Sequence, residues 1–325
     1  MDEFDLIRKW FVPLALSPGA DNLLDDVAEI VHGGSRLIAT TDAIVEGVHF
    51  LPDDPIETVA AKLVRVNVSD IVAKGAVPDG AFLTLVWPRS RPVAGIEGFA
   101  LRLGEELAAR GAYLLGGDTS STTGRLTLSL TLLGRCGARG PVRRSGASAE
   151  DDLWVTGDIG EGWLGLQAAR GKLPMLMPVE RARLVERYRV PEPPVAPFAS
   201  VIAAHATASI DVSDGLVADA GHVARASGLA LVIDCRDMPF SEAARSWLAT
   251  GRRSGIAKLL TGGDDYQTLF TATTTRRDAV REACDAIGVK VSRIGRAESG
   301  EGVRLLHGPG SVSLMSRGGW RHFGA

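Results

Sequence analysis

Lysine and cysteine are scarce in this chain, and long apolar runs are missing. Only six lysines, Lys9, Lys62, Lys74, Lys172, Lys258 and Lys290, occur among the 36 basic residues. With 39 acidic residues against them the net charge is -3, which leaves no basic face of the kind a nucleic-acid binder needs to offset phosphate repulsion. The three cysteines, Cys136, Cys235 and Cys284, lie far apart and form no CxxC. That excludes a zinc ribbon or a disulfide framework and fits a reducing cytoplasm. No stretch reaches the roughly eighteen uninterrupted apolar residues of a membrane span. The apolar segment from Phe11 to Leu16 is too short for a signal peptide, and Asp2, Glu3 and Asp5 make its leader acidic. Neither GxxxxGK[ST] nor GxGxxG occurs, so neither a P-loop enzyme nor a Rossmann dehydrogenase is supported.

What is present reads as a soluble globular protein: 45% hydrophobic and 23% charged residues over 325 positions, enough for two domains with their own cores. Apolar β-branched runs alternate with helical periodicity, as in an α/β (α+β) chain. The pattern predicts strands at Arg36 to Thr41, Ala81 to Trp87, Ala112 to Leu115 and Arg125 to Leu133, with helices over Ile56 to Ala73 and Ile96 to Arg110. Charged and turn residues gather at Arg143 to Asp152, which predicts a boundary between residues 1–147 and 148–325. Beyond it the pattern predicts strands at Leu153 to Thr156, Ala208 to Val212, Ala230 to Asp234, Tyr266 to Ala272 and Val289 to Ile294. Helices are predicted around Glu161 to Arg170, Val179 to Tyr188 and Gly215 to Ser227, and Pro191 to Pro197 reads as a connection.

The aspartates carry the chemical signal. Asp42, Asp118 and Asp211 each end an apolar run, Asp70 is embedded in an apolar helix, Asp25 and Asp26 precede another apolar stretch, and Asp214 follows Asp211 by three. Such carboxylates are costly to bury unless paired or bound to a cation, and no comparable set of lysines stands among them in the sequence. All-oxygen donors, helped by the hydroxyls of Thr40 and Thr41, suit a hard cation such as Mg2+. The competing reading makes each Asp a helix cap or turn residue. Gly116-Gly117 and Gly262-Gly263 permit close backbone approach to a ligand or simply make turns. Arg143 and Arg144 would grip phosphates bidentately or lie on the surface. His49 is a candidate substrate contact or a structural histidine, and Trp320 either stacks on a cationic ring or plugs the C-terminus.

Together these motifs resemble the thiamine-monophosphate kinase family. They are Thr40-Thr-Asp-Ala-Ile-Val-Glu-Gly-Val-His-Phe, Asn67-Val-Ser-Asp-Ile-Val-Ala-Lys-Gly-Ala, Gly116-Gly-Asp-Thr, Arg144-Ser-Gly-Ala, Ile210-Asp-Val-Ser-Asp-Gly-Leu and Gly262-Gly-Asp-Asp-Tyr. The resemblance implies a two-domain aminoimidazole ribonucleotide synthetase-like fold. In it the N-terminal strands form a barrel across a homodimer, and a C-terminal α+β domain completes the cleft. It implies ATP- and Mg2+-dependent phosphorylation of thiamine monophosphate by direct in-line transfer. Carried over by position, it implies metal ligands at Asp26, Thr40, Thr41, Asp42, Asp70, Asp118, Asp211 and Asp214, of which Asp42, Asp70, Asp118 and Asp211 are the catalytic set. It implies ATP contacts at Gly117, Asp118, Arg144 and Ser213, and substrate contacts at His49, Asp264 and Trp320. Where the family usually carries Gly-x-Gly before its first Asp pair, this chain has Asn22-Leu-Leu, so that loop is expected to take its own path.

Overall fold

The structure, a computed structural model, describes residues 3–251, 255–308 and 311–315. A short helix α1 (Glu3–Trp10) is followed by two 3-10 turns and then by β1 (Ala28–His32), β2 (Ser35–Val45), α2 (Ile56–Ala73), β3 (Val77–Pro88), α3 (Gly95–Ala109), β4 (Tyr113–Thr122) and β5 (Thr127–Arg135). These five strands make one sheet in the order β1-β2-β5-β3-β4. It is antiparallel except at its last pair, where β4 runs parallel to β3.

The second half contributes β6 (Asp152–Thr156), α4 (Glu161–Ala169), α5 (Pro178–Arg189), α6 (Phe198–His205), β7 (Ala208–Val212), α7 (Leu216–Ser227), β8 (Ala230–Asp234), α8 (Glu242–Leu248), α9 (Gly255–Thr261), β9 (Gln267–Ala272), α10 (Arg277–Ala286), β10 (Val291–Glu298), β11 (Gly302–Gly308) and β12 (Ser311–Met315). Its seven strands order as β12-β11-β8-β10-β6-β9-β7. The strands β6, β7 and β9 are buried along their whole length, polar residues such as Asp152, Asp211 and Gln267 included.

Helix α2 is the central pillar. Pro55 precedes it and Gly75 follows Lys74, so both ends are punctuated in the sequence. The helix is buried along most of its length, with Val59, Leu63, Val64, Val66, Ile71 and Val72 each 2% exposed or less. They pack on one side against Ile38, Leu128, Leu130 and Leu132 of the first sheet and on the other against Phe198, Ile202 and Phe270 of the second half, as one continuous core. On β5 the alternation is regular, with Leu128, Leu130 and Leu132 inward and Thr127, Ser129 and Thr131 on the opposite face.

Two expectations need correction here. Asp42 and Asp118 do not terminate strands: β2 runs on to Val45 and β4 to Thr122, and Asp211 stands one residue before the end of β7. Aspartate is depleted in strands on average, but neighbouring backbone fixes these segments, with Asp42 in register with Leu130 and Asp118 with Thr84. Among the described residues no helix is long and apolar enough to cross a membrane.

Candidate active site

The cluster forms where α2, β2 and β7 converge. Asp26, Asp70 and Asp211 each present a carboxylate oxygen, and these atoms all lie within 4.8 Å of one another. Strand alternation then sorts the neighbouring residues of β2. Thr40 points inward, donating to Asp70 Oδ2 at 2.6 Å and to the Asp26 carbonyl at 3.2 Å. Asp42 shares that side, and its backbone N–H donates to Asn67 Oδ1 of α2 at 3.1 Å. Thr41 falls on the other face, where its hydroxyl meets Thr131 at 3.0 Å and Ser129 at 3.4 Å. The structure therefore brings Asp26, Thr40, Asp42, Asp70 and Asp211 together and sets the Thr41 side chain apart.

Electrostatics mark the cluster as short of positive charge. Burial, then Asp26 and Asp214, push Asp42 up to about 6. Burial and then Asp26 push Asp211 up to about 8, against the opposing hydrogen bond from Ser69 at 2.9 Å. Asp70 is held well above the carboxylate range by burial and by Asp211, Asp42 and Asp26. Asp219, on α7, is raised in the same way by burial and by Asp214 and Asp211, and accepts from the Gly215 N–H at 3.1 Å. Like charges held this close favour protonation or a bound cation. The donor set is entirely oxygen, so it fits a hard divalent ion.

Asp26 behaves differently. Burial pushes it up, but Arg144 and Lys74, both ion-paired with it, more than offset that and hold its carboxyl below the usual range. This overturns the sequence reading that no lysine serves the acids. Lys74, fully buried, also lies 2.7 Å from Asp25 Oδ1, while Arg143 reaches Asp25 at 3.4 Å and Glu29 at 3.1 Å. The preceding loop takes its own path: Asp21, Asn22 and Leu23 have φ of 46°, 52° and 58°, left-handed values that glycine adopts without cost and leucine does not.

A second group forms around Asp264, whose own φ is 64°. Tyr266 donates to its Oδ1 at 3.1 Å, and Lys62 lies 3.4 Å from its Oδ2. Lys62 also donates to the His49 carbonyl at 2.9 Å, and its ammonium sits 4.2 Å from the centre of the Tyr188 ring. The His49 ring accepts from the Val45 N–H at 3.0 Å. Asp264 is tied to the loop that follows β7 through its N–H, which donates to Ser213 O at 2.8 Å. That approach requires glycine at position 263 (φ 72°), since a Cβ there would lie 2.6 Å from Ser213 O.

Two expected members stand elsewhere. Asp118 and Gly117 are exposed on β4 at the sheet edge, separated from β2 by β5 and β3. At the usual strand spacing that is roughly 14 Å. Gly117 is required by its neighbour strand, since a Cβ would fall 1.9 Å from the Leu83 carbonyl oxygen. Trp320 lies outside the described residues.

Sequence reasoning missed Lys62, Lys74, Asn67, Ser69 and Tyr266. The partners of both lysines lie far off in sequence, so the local pattern of α2 carries no signal for these pairings.

Comparison with known proteins gives a consistent answer. The family described as AIR synthase related protein matches twice, its N-terminal domain over residues 24–136 and its C-terminal domain over 148–308. A thiamine-monophosphate kinase of Caulobacter vibrioides is 43% identical over 98% of this chain and 90% of its own length. One of Aquifex aeolicus is 32% identical over 92% of each. Among solved structures, AaThiL complexed with AMPPCP and TMP superposes with a TM-score of 0.85 at 31% identity, covering 99% of this chain and 97% of that one.

Proposed function

Because the chain belongs to the thiamine-monophosphate kinase family of AIR synthase related proteins, we propose that it transfers the γ-phosphoryl group of ATP to the phosphate of thiamine monophosphate, giving thiamine diphosphate and ADP. The observation that carries this reading is the convergence of Asp26, Asp70 and Asp211, from three distant segments, within 4.8 Å. A kinase must bring two polyanions to a site that is itself anionic. These carboxylates, with Thr40, Asp42 and Asp214 beside them, would hold Mg2+, which would supply positive charge to offset that of the polyphosphate and that developing during transfer.

The chain's own residues do the rest. Arg144, the residue assigned to the ATP phosphates, is held at the cluster by its ion pair with Asp26 and by donation from Nη1 to Leu24 O at 3.3 Å. Ser213 and Asp264, joined backbone to backbone, tie the nucleotide side of the cleft to the acceptor side. His49 and Asp264, bridged by Lys62, form the wall assigned to thiamine monophosphate. An oxygen of that substrate's phosphate attacks the γ-phosphorus as the bond to the β-phosphate oxygen breaks, and ADP leaves. The attacking phosphate is already ionised near neutrality, so no strong general base is needed, and positioning with charge complementarity supplies the catalysis.

A homodimer completes the reading. β4 is an edge strand along which Tyr113, Leu114 and Leu115, with Phe82 of β3, are about half exposed. An unpaired apolar edge of this kind invites another strand. We assign Asp118 and Gly117, remote from the cluster of their own chain, to the cleft of the second subunit. Residues 1–147 then supply the dimer contacts and most of those to ATP and Mg2+, and residues 148–325 complete the cleft with Asp211, Ser213 and Asp214. The three unpaired cysteines fit a cytoplasmic enzyme. Incubation with thiamine monophosphate, ATP and Mg2+, followed by separation of the thiamine phosphates, tests the activity. Diphosphate formation that needs all three is expected, and its absence at saturating ATP and Mg2+ overturns the reading.

A further inference from the structure

We propose that Lys74 is a resident cation of the acidic cluster, a fixed positive charge that takes the place of a metal ion beside Asp25 and Asp26 and thereby limits how many divalent cations the site takes up. The proposal rests on reading the cluster as a metal centre. Lys74 occupies the C-cap of α2, where the ammonium adds to the favourable placement of positive charge at a helix C-terminus. Its side chain is fully buried, and its Nζ has three partners: Asp25 Oδ1 at 2.7 Å, the Asp26 carboxylate, and the Ser209 carbonyl at 2.6 Å.

The placement is specific to the cluster. Asp26 supplies an oxygen to the three-carboxylate group, and Ser209 stands on β7 two residues before Asp211, another member. Lys74 follows Asp70, the third member, by four residues on the same helix, one turn away. The ammonium therefore touches Asp26 itself and the residue two before Asp211 on β7. On the far side of Asp26, Arg144 completes its charge balance. Asp70 and Asp211 accept instead from the hydroxyls of Thr40 and Ser69, at 2.6 and 2.9 Å, and stand in no ion pair among the described residues. Positive charge from the protein thus serves one end of the cluster and leaves the other end to an external ion.

A purely structural staple would occupy the same position, so the test must read metal uptake as well as folding. Mn2+, which suits the same hard oxygen donors as Mg2+ and is counted by electron paramagnetic resonance, is titrated into the full chain with AMPPCP present. The parent is compared with Lys74→Met, which keeps the length and removes the charge, and Lys74→Arg, which keeps the charge. Lys74→Met is expected to take up one further Mn2+ per chain or to bind its weakest ion roughly tenfold more tightly, through loss of a nearby like charge. Lys74→Arg is expected to match the parent. Equal stoichiometry and affinity in the parent and Lys74→Met overturn the proposal and leave the metal reading standing. No Mn2+ uptake by the parent overturns both. Should Lys74→Met not fold, Lys74→Gln, which keeps a donor for Ser209, is expected to show the same gain, and parental binding by it overturns the proposal. Should neither uncharged variant fold without metal, recovery of folded protein on adding Mn2+ supports the proposal, and failure to recover overturns it.

Discussion

Replacing Asp211 by Asn in the metal-free protein tests the electrostatic account of the cluster. Asp211 is 4% exposed and is raised from an ordinary 3.8 to about 8, first by burial and next by Asp26. A carboxylate whose folded pKa lies above its unfolded value contributes stability that is complete below the unfolded value and is lost as pH rises through the folded one. For this group the loss runs from 3.8 to about 8, and between about pH 6 and about pH 8 it amounts to about 2 kcal/mol. Asp42, raised to about 6, adds its loss at the lower end of the same window. Asparagine cannot ionise and still accepts from Ser69, so the variant escapes the Asp211 share. Urea denaturation in EDTA at the two pH values is the assay. The parent is expected to weaken on going to the higher pH by about 2 kcal/mol more than Asp211→Asn, and excess Mg2+ is expected to restore the parent only. A parent equally stable at both pH values in EDTA, or a variant that weakens just as much, refutes the reasoning.

Four further predictions address positioning, assembly and folding. Lys62→Met removes the ammonium that joins the His49 carbonyl to Asp264; steady-state kinetics should show the KM for thiamine monophosphate rising roughly tenfold with a smaller change in kcat. Leu114→Lys on the exposed edge of β4 should yield monomers by light scattering and little activity. Coexpressed Asp42→Asn and Asp118→Asn chains, each inactive alone, should recover roughly a quarter of parental activity, because mixed dimers carry one intact cleft; no recovery would return Asp118 to its own chain. Asp265→Ala strands the Gly160 and Gly162 N–H groups that donate to this buried carboxylate at 2.8 and 3.0 Å, and should lower the urea-derived stability by about 2 kcal/mol or more.

The sequence disclosed most where local signals agreed with the tertiary environment. Helix α2 has the predicted bounds because a long apolar stretch lies between Pro55 and Gly75, and β7 and β8 likewise have their predicted ends. The misses have physical reasons. Helices α6 and α9 span eight and seven residues, too few turns for a 3.6-residue period to show. Asp42 and Asp118 were read as strand ends because a carboxylate is a poor strand residue, yet cross-strand pairing carried both strands past them. Within the site, Asp26, Asp70 and Asp211 were nameable from their apolar flanks, whereas the pairings of Lys74 with Asp26 and of Lys62 with Asp264 cross 48 and 202 residues and leave no local trace. The separate faces of Thr40 and Thr41 follow from strand alternation alone once β2 is known to continue through both.

The account turns on divalent cations held between Asp26, Asp70 and Asp211. Crystals of the chain grown with Mn2+ and AMPPCP, measured at the manganese absorption edge, should show anomalous peaks among these carboxylates and against the phosphates. Density for the nucleotide with no anomalous peak among the three aspartates would contradict it.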